Sequence, residues 1–315
     1  VDNAAAGVIG HLTPTGSASD GGAVPDGGSD GTVSAPTSAA GGTLTAAAIP
    51  PSSALADGRI AVQGELANAG EIVASGTFSL TATESLANAG TLTVDRLGVS
   101  GEALRNRGTI SAGEATLTAA TLDNRDGTLA VAGPLTVHAR ELFNAHGTLH
   151  HTGSDALSLR VDETLDNHHG QIASNGSDLE LTAAALDNTD GRIEHAGHGA
   201  LTLTSGQITN RAGTLESQGA VTVQAGMAGT VDNAAGRVSA GSTLTLTAGT
   251  LDNHGGTLSS QQALTLAAAG DVANAAGQIV AQTDLTLSTD GALDNRGGLL
   301  GAVAGRLDVA AAGAI

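Results

Sequence analysis

The stretch VDNAAGRVSAGSTLTLTAGTLDNHGG, Val231 to Gly256, holds one full unit of a repeat and the opening of the next. Asn233 follows an aliphatic residue, Val231, by two positions and precedes Gly236 by three. Val238 comes two after the glycine, then the alternating pair Leu244/Leu246, then Leu251 and the next asparagine, Asn253. Working outward, the same order recurs at Asn68, Asn88, Asn106, Asn124, Asn144, Asn167, Asn188, Asn210, Asn274 and Asn295, at intervals of 18 to 23 residues. The glycine stands two positions after the asparagine in the first three units (Gly70, Gly90, Gly108). It stands three after in the other nine, at Gly127, Gly147, Gly170, Gly191, Gly213, Gly236, Gly256, Gly277 and Gly298. An aliphatic residue follows two positions later in all twelve, from Ile72 and Leu92 to Ile279 and Leu300. A fixed period of about 20 residues is the signature of a solenoid.

Alternation with period two, rich in Thr, Val and Leu and bounded by Gly and Asn, predicts short half-buried strands rather than helix. A unit of this length has room for three strands and three bends. Successive units then stack in parallel at about 4.8 Å, giving an all-β parallel β-helix (β-solenoid) of about 12 coils and a rod near 58 Å long. The aliphatic slots form inward files, and the intervening Thr, Ser and charged residues face water. At the bend, asparagine is expected to take left-handed backbone and glycine a positive φ. Stacking places one asparagine over the next as a structural amide ladder.

Composition agrees with a thin, linear core. Only Phe78 and Phe143 are aromatic, and Gly is 46 of 315 residues, about twice the usual share. A net charge of −19 with no basic cluster excludes nucleic acid and anionic lipid as partners. There is no cysteine for a disulfide or a thiolate metal site. No apolar run reaches the roughly 20 residues of a membrane span, so membrane insertion is not expected.

Residues 1–58 depart from the pattern. Val1-Asp2-Asn3 with Gly7 reads as the end of a preceding coil, followed by a Pro/Gly/Ser/Asp-rich insertion over 13–53 that is expected to leave the rod. Residues 59–315 carry the repeats. The uncapped ends predict a segment of a longer rod.

The motif LDN-x-x-G-x-[IL] followed by G-x-LTLTA, seen at Leu122–Asn124, Leu165–Asn167, Leu186–Asn188, Leu251–Asn253 and Leu293–Asn295, resembles the haemagglutinin repeats of bacterial filamentous haemagglutinins. The stalks of contact-dependent growth-inhibition toxins carry the same repeats. The resemblance covers residues 59–315. It implies a right-handed parallel β-helix, two-partner secretion through an outer-membrane transporter, and display on or release from a Gram-negative surface. It also implies a host-cell or target-cell receptor for the whole protein. Departures from the motif are Ala67, Ala87, Ala273, Arg105, Phe143 and Thr209 at the aspartate slot. The family's secretion domain, a terminal toxin and an Arg-Gly-Asp sequence are not recognisable here.

Candidate chemistry is sparse, and neither a cofactor nor a metal is expected. Asp126, His146, His169 and Asp190 share one slot of four consecutive units, so stacking brings them into one column. Imidazoles flanked by carboxylates are metal-ligand types, set against a solvated turn. His150/His151 and His195/His198 read as solvated side chains, as do Asp20, Asp26 and Asp30 in the insertion. Asp166 over Asp187, and Asp232 over Asp252, would stack like charges unless they accept turn amides or share a cation such as calcium. The glycine-aspartate nonapeptide of calcium-binding rolls is missing. Thr243, Thr245 and Thr247 predict an outward threonine row, interrupted elsewhere by Glu180 and Asp308. Enzymatic activity is not expected, because no aromatic strip for sugar rings accompanies the carboxylates. The function predicted is that of a stiff secreted rod presenting recognition or toxin modules.

Overall fold

The computed structural model describes residues 2–3, 8–11, 57–74 and 77–315. The insertion expected over 13–53, with Asp20, Asp26 and Asp30, lies outside them.

Each unit folds as one rung. A four-residue strand such as Thr128–Val131 leads through a bend into Leu135–Phe143, and the next rung repeats this as Thr148–His151 and Leu157–Asp166. From Ala220 onward the second stretch divides in two, as Leu244–Ala248 and Thr250–Asp252, giving three short strands per rung. All strands join one sheet by parallel pairing between successive rungs, and the described residues contain no helix. The expected all-β solenoid of about 12 coils is the fold adopted.

Register follows the sequence slots. Leu129 pairs with Leu149, and the file continues through Ile172, Ile193, Leu215, Val238, Leu258, Ile279 and Leu300. A second file runs Leu117, Val137, Leu159, Leu181, Leu203, Val223, Leu246, Leu266, Leu287. A third runs from Leu122 to Leu293. Except for Leu300 in the last rung, these side chains are buried. A one-residue slip would turn a whole file to water, at about 2 kcal/mol per aliphatic side chain, so the pattern locks the register.

Variation in rung length is absorbed at bends. Pairing shifts between Arg160 and Thr164, and the turn at Gly226–Gly229 bulges outward with Gly226 at φ +74°. Ahead of the insertion, Asp2–Asn3 pairs with Ala67–Asn68 and Val8–His11 with Glu71–Ala74, so this short segment lies on the rod as a rung. Asp57–Val62 pairs with Thr77–Ala82.

Candidate functional site

The asparagines form a continuous file of side-chain hydrogen bonds. From Asn68 to Asn295 each Nδ2 donates to the Oδ1 of the next asparagine at 2.7–2.8 Å. The second proton of Asn124 Nδ2 reaches the Thr148 carbonyl at 3.0 Å, and equivalent bonds recur along the file. All are buried except Asn295 in the last rung. Each buried amide therefore has its partners, and removing one would orphan its neighbours.

The bend is built differently from expectation. The N–H of Gly147 donates to the Asn144 carbonyl at 2.9 Å, closing a four-residue turn. The left-handed residue is not the asparagine but the one two positions later: Asp126, His146, His169, Asp190, Ala212, Ala235 and Ala276 have φ of 51–59°, and Gly255 and Gly297 share the slot. One positive φ at the third residue defines a type II turn. The glycine that ends the turn does not carry positive φ. It is needed for close approach, since a Cβ at Gly127, Gly147, Gly170, Gly191, Gly213, Gly236, Gly256, Gly277 or Gly298 would lie 2.0–2.5 Å from the backbone oxygen of an asparagine one rung below. Asparagine is thereby freed from the backbone role and spends its amide on the ladder.

Outside the ladder stand two parallel columns. One is the aspartate slot, in which Asp166 pairs with Asp187 and Asp232 with Asp252 as expected. Their charges are met by turn amides: Asp123, Asp166, Asp187, Asp232, Asp252 and Asp294 each accept the backbone N–H two residues on, at 2.9–3.2 Å. The other column supplies cations. Asp123 takes two-point hydrogen bonds from both Arg107 and Arg125, and Arg125 also lies over the Phe143 ring at 5.4 Å. Burial works to raise the Asp123 pKa, but the bonds from Arg125 and Arg107 override it and hold the carboxyl well below the usual range. Further along, Arg211 pairs with Asp232, and Arg296 lowers the exposed Asp294 to about 2.

The Asp126/His146/His169/Asp190 column exists. His146 and His169 stack face to face at 4.9 Å, while His168 stands edge-on to both and is tied to Asp166 by a 2.5 Å contact. Among the described residues no group of three or more His, Asp or Glu side chains is arranged to hold a metal. His150 remains on the outer face, but His151 and His195 are buried, contrary to the solvated reading. Alternation from Leu149 and Ile193 turns the second residue on inward, a signal that their polarity obscured. Thr245 lies in an exposed file with Thr222, Thr265 and Thr286, which meets Asp308; the same file carries Glu180 beside Thr202. Thr243 falls in the preceding turn and is not part of that strand. A cleft of about 360 Å³, lined by Thr230, Thr250, Asp232, Asp252 and Asp271 among others, lies open on the outer surface.

The haemagglutinin-repeat family model matches residues 37–115, 110–168, 152–212, 196–226, 217–297 and 269–315. Over 92 residues, 28% of the chain, the sequence is 38% identical to the tRNA nuclease CdiA-2 of Burkholderia pseudomallei (strain 1026b), and the match spans 3% of that protein. No solved structure matches the chain.

Proposed function

Given that the chain belongs to the haemagglutinin-repeat family, a family of secreted, cell-surface Gram-negative exoproteins, we propose that it is a rod segment of a large adhesin that holds binding regions away from the cell for attachment to host cells. The observation that carries this reading is the unbroken stack: one asparagine file and three aliphatic files pass through the whole described rod. Such a body transmits position and force along its axis. We assign it no catalysis. Its partner during export would be a two-partner outer-membrane transporter, and the receptor would be engaged by other parts of the protein.

A second reading is favoured by the likeness to the CdiA-2 nuclease: the same rod as the stalk of a contact-dependent growth-inhibition toxin. Two assays on bacteria making the whole protein separate them. If the gene's deletion abolishes adherence to host cells while leaving competition with sibling bacteria unchanged, the adhesin reading holds. Arrest of siblings that lack the neighbouring immunity function, with adherence unaffected, assigns the stalk to a toxin.

A further inference from the structure

We propose that the band of rungs between Val131 and Ser217 is an acid-sensitive joint in the rod, with the buried His151 imidazole as its clasp. Eight of the ten histidines fall between His138 and His198. Elsewhere in the inward slot that His151 occupies, the rod carries Val131, Ala240, Ser260 and Ala281, none of which titrates near neutral pH.

His151 is fully buried, and both ring nitrogens are used. Nε2 lies 3.0 Å from the Gly133 carbonyl, which only accepts, so Nε2 bears the proton. Nδ1, 3.0 Å from Ser174 Oγ, then accepts the serine hydroxyl, and Ser174 Oγ accepts the Gly176 N–H at 3.1 Å. His195 repeats the arrangement, with Nε2 3.0 Å from the Gly176 carbonyl and Nδ1 3.2 Å from Ser217 Oγ, which accepts the Gly219 N–H. Gly176 belongs to both, so one hydrogen-bonded line crosses the band from Gly133 to Gly219. Space for the rings is reserved: a Cβ at Gly153 or Gly197 would stand 2.8 or 2.7 Å from the respective Nε2.

At His151 this line is matched to the neutral imidazole. A proton added at His151 Nδ1 points at Ser174 Oγ, forces the hydroxyl to turn away and leaves a charge in the apolar core. Burial pushes the His151 pKa down; the Gly133 carbonyl and Asp155 oppose that, and His150 adds to it. Glu194, His198 and Asp178 stand on the strand and turns around His195. On the outer face the rings of His146, His168 and His169 lie within 5.8 Å of one another, with Asp166 bonded to His168 and with Asp126 and Asp190 in the column of His146 and His169. His138 faces Asp162 at 3.3 Å.

The direction follows from linkage. An opened rung binds a proton with the ordinary histidine pKa near 6.5, while the closed rung refuses it. Acid therefore favours opening, by up to about thirtyfold per excluded proton between pH 7.5 and 5.0. The test is amide hydrogen exchange on the full chain at both pH values, corrected for intrinsic exchange rates. Opening over residues 148–217 should rise about thirtyfold, with little change over residues 244–289. Replacing both histidines by serine (H151S/H195S), the residue the slot holds in the rungs above each, should abolish the difference. Should that variant fail to fold, 13C titration of the wild-type His151 Cε1 still decides: a ring that stays neutral down to pH 5 supports the clasp. A His151 that titrates near 6.5, or opening that rises equally in both segments, overturns it.

Discussion

Ala212, Ala235 and Ala276 hold φ of 51–56° with a Cβ attached, a conformation costing roughly 1–2 kcal/mol in an L-residue. Gly255 and Gly297 occupy the same slot, and a Cβ built at either meets nothing within 4 Å, so the strain is local to the backbone and owes nothing to packing. Ala235→Gly should therefore stabilise the rod by about 0.5–1 kcal/mol, the relief of strain outweighing glycine's greater freedom when unfolded. The check is a higher urea midpoint with an unchanged slope; a lower midpoint would place the strain elsewhere. The same slot takes Asp126, His146, His169 and Asp190 because only the backbone angle is constrained there and the side chain is free to project outward.

At the scale of strand and turn, the Arg107–Asp123–Arg125 cluster ties the turn of one rung to the strand end and turn of the next. Asp123 is buried but the two guanidinium groups it pairs are 41% and 48% exposed, so Asp123→Asn should cost about 1–2 kcal/mol through the lost charged hydrogen bonds. Because the folded carboxyl is depressed, its contribution is complete above the unfolded pKa near 3.9 and fades as pH falls below it. Wild type and D123N should thus differ in stability at pH 7, with the gap narrowing below about pH 3.9 and closing only below about pH 2 in parallel denaturation curves. Strands, inward files and the asparagine positions were legible in the sequence, because period-two alternation fixes the facing of Leu244 and Leu246 and twelve copies fix the slots. The interior of the turn was not. Asn-x-x-Gly admits several placements of the left-handed residue, and only the distance from Gly147 to the rung below shows that glycine serves proximity. Nor was the cluster at Asp123 readable, since Arg107 sits in an 18-residue rung with a shorter turn and reaches across to the next. The inward facing of His151 is masked in the sequence by its polarity, although its place in the alternation from Leu149 dictates it.

For the molecule as a whole, parallel stacking makes each rung depend on its two neighbours and on little else, the behaviour of a one-dimensional array. Deleting residues 234–253 joins Val231-Asp232-Asn233 directly to His254-Gly255-Gly256 and restores the motif without a seam. That chain should fold with an unchanged cross-section and lose one step of about 4.8 Å in length by small-angle scattering. Removing only residues 234–243 leaves half a rung, so the files above and below no longer meet, and cooperative unfolding should be lost. The chain also has no cysteine, while the second turn residues Thr189, Ala234 and Ala275 are in part open to solvent. Single thiols at those three sites would accept fluorophores or spin labels at known multiples of one step, turning the fibre into a graduated ruler for calibrating distances on the nanometre scale.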